Sequence, residues 1–341
     1  MDMTAVLSTL SGCHSPSGFE GPVRAEAERL LAPLVDRTER DALGNLFGIR
    51  DAAEAGRPTV MLTAHLDEIG LMVTGTEEGF LRFTTIGGVD PRILPALEVA
   101  VLTDPVRFGV ITCLPPHTQT AEEMEKPFRI ADLAIDAGLS PEEEIPVGTP
   151  VTFRGGAGPL LGGMYAGKAM DDRACFAMLL RTLEILEESP LPVNLIVAGS
   201  VQEEVGCRGA GPAAYHKAPD YAIAVDVTFG ETADAPKHKT VRFGSVPISL
   251  GPNIGRHVSG RLKAVAEKED IPWQPEVWEG HSGTDAWTMQ VAGNGTAAGV
   301  VSLPLKYMHT AVEVVALDDL ENGARLLAAF IQSFEGGAPE C

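Results

Sequence analysis

The sequence predicts an α/β fold with a small β domain inserted into it, and three observations carry that prediction. Short, nearly continuous apolar runs, Thr59 to Ala64 and Leu195 to Ala198, have the pattern of parallel strands covered on both faces. Stretches with helical periodicity separate such runs, as in a sheet with helices packed on it. From about Leu71 to Gly162 the texture changes to short β-rich segments between Gly, Pro and Asp turns, which suits a small sandwich or barrel. The expected organisation is therefore an α/β domain in two parts, 1–70 and 163–341, around an inserted β domain at 71–162. At 341 residues, two domains also match the chain length.

In chain order, Met3 to Leu10 and Pro22 to Leu34 read as helices. In the second, Val23, Ala27, Leu30, Leu31 and Leu34 recur at helical spacing. Ser15-Pro16-Ser17-Gly18 between them is turn chemistry. Asp41 to Ile49 reads as a strand entered through Gly44-Asn45, and Thr59 to Ala64 as a buried strand ending at His65. Within the insert, Leu71 to Thr74, Phe80 to Thr84, Val99 to Thr103, Gly109 to Cys113 and Val151 to Phe153 read as strands. Pro115 to Lys126, rich in Thr and Glu, reads as a mobile loop. After Gly163, Asp171 or Asp172 opens a helix through Leu186. Then come a strand from Val193 to Ser200, a helix from Ala210 to Lys217, and a strand from Tyr221 to Val225 ending at Asp226. A helix at Val258 to Glu267, a helix starting near Thr284-Asp285 and a strand from Ala297 to Leu303 follow. A last helix starts at Asp318, with Glu321 as the second half of a capping box, and runs to Phe334.

Composition excludes some functions. A net charge of −21 argues against binding nucleic acid or an anionic membrane, because phosphate contacts need Lys and Arg. No apolar run approaches the ~18 residues of a membrane span. The N-terminal segment lacks the basic-then-apolar pattern of a signal peptide. Five cysteines (Cys13, Cys113, Cys175, Cys207, Cys341) show no metal-finger spacing, which fits reduced thiols in the cytoplasm. Cys175 and Cys207 read as packing residues. Gly206-Cys-Arg-Gly-Ala-Gly lacks the ending of a phosphate loop and more simply lets backbone approach its surroundings.

Chemistry gathers where strands end. His65, the pair Glu203 and Glu204, Asp226 and His309 each follow or close a predicted strand, and Asp171 precedes a helix. In an open α/β sheet, ligands bind at the carboxyl ends of the strands. Singly, each has a structural alternative: a hydrogen-bonded His, a solvated Glu pair, an N-capping Asp. Together they make a nitrogen and oxygen donor set suited to zinc, cobalt or manganese, divisible into a two-metal site with one bridging carboxylate. Asp67, two residues after His65, suits the acceptor that fixes a ligating imidazole, although the two side chains could equally point apart. His281 and Asp285 are candidates for lining a substrate pocket.

The chain resembles the tetrahedral dinuclear-metal aminopeptidases, also labelled glutamyl or deblocking aminopeptidases and sometimes cellulase M. The resemblance rests on Ala64-His65-Leu66-Asp67-Glu68-Ile69-Gly70, Gly167-Lys168-Ala169-Met170-Asp171-Asp172-Arg173, Gln202-Glu203-Glu204-Val205-Gly206, Val225-Asp226-Val227-Thr228, Gly283-Thr284-Asp285-Ala286 and Tyr307-Met308-His309-Thr310. It implies a mixed-sheet, zinc-peptidase-like catalytic domain with helices on both faces. It further implies one metal on His65 and Asp226, a second on Glu204 and His309, Asp171 as the bridge, Glu203 as general base and Asp67 orienting His65. The two divalent ions would be zinc or cobalt, or else manganese, and the substrates peptides with a free N-terminus. The insert would serve dimerisation within a homododecamer built from dimers, and the 115–126 loop would reach towards a neighbouring active site. Three rivals stand beside this reading: a deacylase on the same scaffold, a glycoside hydrolase using Glu203 and another carboxylate, and a non-enzymatic assembly protein. A glycoside hydrolase needs no metal and leaves His65 and His309 without a purpose.

Overall fold

The computed structural model describes residues 1–334; Cys341 lies outside them. In chain order the strands are β1 (Arg37–Arg40), β2 (Leu46–Arg50), β3 (Thr59–His65), β4 (Gly70–Glu77), β5 (Phe80–Ile86), β6 (Glu98–Val101), β7 (Arg107–Thr112), β8 (Ala134–Asp136) and β9 (Pro150–Phe153). They continue with β10 (Gly158–Pro159), β11 (Met164–Gly167), β12 (Asn194–Ser200), β13 (Tyr221–Phe229), β14 (Val246–Leu250), β15 (Trp273–Val277), β16 (Ala297–Lys306) and β17 (Glu313–Ala316). The helices are α1 (Met3–Ser11), α2 (Gly21–Leu31), α3 (Ala121–Met124), α4 (Met170–Ile185), α5 (Ala210–Lys217), α6 (Arg256–Lys268), α7 (Ala286–Met289) and α8 (Leu317–Gln332). No described helix is long and apolar enough to cross a membrane.

Among the described residues, eleven strands form one mixed sheet, in the order β1-β2-β12-β3-β13-β16-β17-β11-β10, with β14 on β16 and β15 on β14. Its centre, β12-β3-β13-β16, is parallel; the strands flanking it join antiparallel, and β15 pairs parallel with β14. Alternation along the central strands divides the core between two faces. Val60, Leu62, Leu195, Val197, Ile223 and Val225 face one side and pack with α1, α2, α4, α6 and α8. Met61, Ile196, Ala198, Ala222 and Ala224 face the other and pack with α5 and α7. The second face is built largely of alanines, which lets short helices lie close to the sheet. Helices thus cover both faces, the α/β arrangement expected.

The strands β4-β5-β8-β7-β6-β9 close into a small barrel. Its interior is filled by Leu71, Val73, Leu81, Phe83, Val99, Val101, Ile111, Ile135, Val151 and Phe153. A bridge between Pro16 and Glu68 lies where β3 hands over to the barrel. The 115–126 segment carries a 3-10 turn, Pro116–Thr118, and the single turn of α3.

Several elements differ from the sequence reading. Asp41 to Ile49 is not one strand. The Asp41 Oδ1 accepts the N–H groups of Leu43, Gly44 and Asn45 at 3.0, 2.9 and 3.0 Å, an Asx-type turn that makes β1 and β2 a hairpin. The second helix tightens after Leu31 into a 3-10 turn, Ala32–Leu34. The final helix starts at Leu317 behind Ala316, which makes no side-chain cap bond, so the Asp318–Glu321 capping box does not form. Glu321 is instead drawn to Arg181 on α4, at 2.9 and 3.0 Å. Strands β14 and β15 escaped the sequence reading because Pro247 and Pro275 interrupt their β pattern.

Candidate metal and active site

The functional side chains stand where the parallel strands end, because the register brings them level. Ser200 on β12 pairs with His65, the last residue of β3, and Ala224 on β13 pairs with Thr63. Asp226 is two residues beyond Ala224 and therefore stands level with His65. It lies inside β13, which continues to Phe229, rather than closing a strand at Val225. Glu203 and Glu204 follow β12, and His309 follows β16. Non-glycine residues with positive φ mark these turns: Ala169 (53°), Gln202 (58°), Cys207 (51°), Tyr307 (62°) and His309 (59°). Such conformations persist only where surrounding contacts impose them, and they concentrate at functional sites.

Two imidazoles converge on one carboxylate. His65 Nε2 is 3.0 Å from Asp171 Oδ1, and His309 Nε2 is 3.3 Å from Asp171 Oδ2. His309 Nε2 is also 3.2 Å from Glu204 Oε2. The other ring nitrogens fix both tautomers. His309 Nδ1 lies 3.0 Å from the Gly88 carbonyl, which comes from a barrel loop, and His65 Nδ1 lies 3.2 Å from the Asp67 main-chain oxygen. With Nδ1–H donating in each case, both Nε2 atoms are left to face the carboxylates. A Cβ at Gly88 would sit 2.9 Å from His309 Nδ1, so only glycine lets that carbonyl approach.

The Asp67 carboxylate lies 3.6 Å from His65 Nδ1. Its hydrogen bonds are from Ser17 Oγ (2.6 Å) and from the N–H groups of Glu203 (3.1 Å) and Glu204 (3.2 Å). It therefore ties the turn carrying the glutamate pair to the end of β3. Glu203 Oε2 is 3.9 Å from His65 Nε2, and its Oε1 accepts from Cys207 Sγ at 3.0 Å. Cys207 thus contacts the site rather than serving packing alone.

Among the described residues, two groups at the centre place donor atoms within 4.8 Å of one another: His65, Asp171 and Glu204, and His65, Asp172 and Asp226. Burial pushes Asp226 well above the usual carboxylate range, with Asp172 adding repulsion. Burial likewise raises Glu204, and Asp171 adds to it, while burial carries Glu203 up to about 8. Burial alone would depress His309, yet bonds to Asp171 and Glu204 carry it up to about 11; the same contest raises His65. Asp171 moves the other way, held low by His309 and His65 against its own burial. Too many carboxylates share two imidazoles, and positive charge is what the cluster lacks. One imidazole nitrogen with two carboxylates in each group, and His309 beside Asp171 and Glu204, is a donor set that fits divalent zinc, cobalt or manganese.

Two further residues belong to the site. Asp172, joined to Asp171 by a cis peptide bond, is fully buried and accepts the His65 N–H at 3.2 Å. The second half of the Asp-Asp pair was its only sequence signal. Glu313, at the start of β17, accepts the His309 N–H with Oε1 (2.8 Å) and the Asp171 N–H with Oε2 (3.0 Å). One buried carboxylate therefore holds the backbones of two metal-ligand candidates. Nothing in the sequence pattern distinguished Glu313 from an ordinary strand residue.

The two pocket candidates separate. His281 is exposed, stacks on Trp287 with ring centroids 4.2 Å apart, and lines a cavity of about 1000 Å³ together with Thr228, Phe229, His238, Trp278 and Tyr307. Thr228 and Tyr307 are each two residues from a metal-ligand candidate, so the cavity opens beside the cluster. Asp285 is buried, with Oδ2 accepting from Ser200 Oγ at 2.5 Å, and does not line that cavity.

Known proteins share this fold. The M42 glutamyl aminopeptidase family model matches residues 44–326. A lysyl aminopeptidase of Pyrococcus furiosus is 32% identical over 329 residues, covering 94% of each chain. An aminopeptidase structure from the archaeon Desulfurococcus kamchatkensis superposes with a TM-score of 0.89 at 35% identity, over 99% of both chains. The TET1 peptidase of Pyrococcus horikoshii, which can assemble into a tetrahedron or a large octahedral shell, matches with a TM-score of 0.85 at 31% identity, over 97% of this chain and 99% of that one. On this fold, with this cluster, the chain is a hydrolase and belongs to the M42 glutamyl aminopeptidase family.

Proposed function

We propose that this protein is a two-metal aminopeptidase that removes N-terminal residues from peptides. The observation that carries the reading is the convergence of His65 and His309 on the two oxygens of Asp171, at 3.0 and 3.3 Å. One cation would lie on His65 and Asp226, the other on Glu204 and His309, with Asp171 between them. Asp172 supports the first of these positions through its place beside His65 and Asp226. Bound there, two divalent ions, zinc or cobalt and alternatively manganese, would polarise the scissile carbonyl and bring the pKa of a water towards neutrality.

The protein's own groups do the rest. Glu203 takes the proton of the attacking water and returns it to the leaving amine. Its carboxyl, raised to about 8 by burial, falls back into a range suited to a base when cations stand beside it. Asp67 holds the Glu203 and Glu204 N–H groups, so the base and a ligand move as one unit. The cavity beside Thr228 and Tyr307 receives the peptide, with His281 on its wall. Asp285 acts from beneath through Ser200 and Glu203 rather than by touching peptide.

Residues 71–162 form the inserted dimerisation domain in this reading. The likeness to a peptidase that assembles into a tetrahedron supports a homododecamer built from dimers, with the 115–126 loop reaching towards a neighbouring site. The negative charge, the cysteine pattern and the peptide substrate fit a cytoplasmic enzyme that binds neither nucleic acid nor membrane.

The test is chelation and add-back. The protein is stripped with a chelator and offered a panel of aminoacyl amides, with zinc, cobalt or manganese restored one at a time. Activity lost and recovered, on free N-termini only, is expected. Cleavage of acylated or sugar substrates instead, or activity indifferent to the chelator, overturns the reading.

A further inference from the structure

Next to the two central groups lies a donor set of different chemistry. Glu203, Cys207 and Asp285 place one ligand atom each within 4.8 Å of the others. The thiol comes from the turn after β12, the second carboxylate from the residue preceding α7. Cys207 Sγ already donates to Glu203 Oε1 at 3.0 Å. Asp285 is 3% exposed; its Oδ2 accepts from Ser200 Oγ, while its Oδ1 is buried and has no hydrogen-bond partner among the described residues. A buried acceptor left unpaired is unfavourable, and a cation beside it removes the penalty. The Glu203 side chain, 11% exposed, gives the route in.

The thiol decides which cation. One sulfur with two carboxylate oxygens favours zinc or cadmium over magnesium, calcium or manganese. Three protein ligands leave a fourth, open position, as in a four-coordinate zinc site. We propose that Glu203, Cys207 and Asp285 form a third cation site, selective for zinc or cadmium, whose occupation inhibits the enzyme. On binding, the Cys207 S–H bond breaks, its proton passes to solvent, and the sulfur lone pair forms the bond to the cation. Glu203 Oε1, on the Cys207 side, becomes a ligand, and a cation on the same carboxylate lowers the basicity of Oε2, which faces His65. The inhibition, though not the binding, rests on Glu203 being the base.

The experiment titrates chelator-stripped protein with cobalt(II) past the amount that restores activity, and records the sulfur-to-cobalt charge-transfer absorption in the near ultraviolet. In parallel, activity is followed as cadmium is added to the restored enzyme. The band is expected to grow in after activity has returned, to vanish in Cys207→Ser, to persist in Cys175→Ser and to weaken in Asp285→Asn. Cadmium is expected to inhibit the wild type at concentrations at least about tenfold below those needed for Cys207→Ser, the scale on which losing one ligand or its support changes affinity. No late band, or one indifferent to Cys207→Ser, overturns the site. A Cys207-dependent band without inhibition overturns the inhibitory half and leaves the site standing. Neither result touches the aminopeptidase reading, which the recovery of activity tests separately.

Discussion

Replacing Glu313 by Gln should loosen the metal centre without altering any proposed ligand. The wild-type carboxylate accepts two N–H bonds, from His309 at 2.8 Å and from Asp171 at 3.0 Å. An amide keeps one acceptor and turns an NH2 group towards the other N–H, so one buried main-chain donor loses its partner. That costs about 1–3 kcal/mol, and it falls on the backbone of a residue whose side chain is to hold a cation. Groups that orient ligands typically change metal affinity ~10–100-fold, equivalent to ~1.4–2.8 kcal/mol, which agrees with the hydrogen-bond figure. A second effect runs the other way. Burial, with Asp171 adding repulsion, pushes the Glu313 carboxyl well above its ordinary range, so neutralising it relieves strain in the metal-free protein. The thermal midpoint of stripped Glu313→Gln should therefore shift less than its metal affinity does. Competition against a chromophoric chelator measures the affinity, and a thermal melt of the stripped protein gives the comparison. Affinity within about twofold of wild type, ~0.4 kcal/mol, would refute the idea that Glu313 positions the centre.

Glu203→Gln should lower turnover by about 10²–10⁴-fold, the usual range for a positioned acid–base group, while metal content measured by elemental analysis stays at the wild-type level; turnover near wild type would remove Glu203 from the role of base. Asp319 sets a pH dependence away from the site. It is buried, its oxygens accept the Gly244 N–H at 2.8 and 3.1 Å, and burial raises its carboxyl to about 6. Between the unfolded value near 3.8 and that folded value the native state holds the proton more tightly, so this group's contribution to stability falls as pH rises through the window, by about 1–3 kcal/mol with solvent screening allowed for. Asp319→Asn should make the fall in stability between about pH 4 and about pH 7 shallower by that amount, read from denaturant midpoints, with the other raised carboxyls supplying the remainder; the same slope in both proteins would remove Asp319 from the causes.

The sequence alone determined the fold class, because the central strands are apolar without interruption and a parallel strand buried on both faces can be little else. It also made the metal-ligand candidates visible, since His65, Glu204 and His309 lie just past such strands, and strand ends are where an α/β sheet gathers its chemistry. What it could not fix was anything set by register or by a partner distant in sequence. Asp226 stands level with His65 only because β13 pairs with β3, and it is the pairing with β16 that carries the strand past its expected end to Phe229. The hairpin of β1 and β2 turned on three hydrogen bonds to one aspartate, and β14 and β15 were hidden by Pro247 and Pro275, of which only Pro275 sits on an edge strand. Glu313 became significant only when β17 came to lie beside β16 and β11, bringing its two oxygens to the amides of His309 and Asp171, four and 142 residues away. Cys207 likewise passed for packing until the turn after β12 set its thiol against Glu203. Apolar pattern is local and survives in the one-dimensional string, whereas a hydrogen bond between remote residues exists only once the tertiary structure has placed both ends.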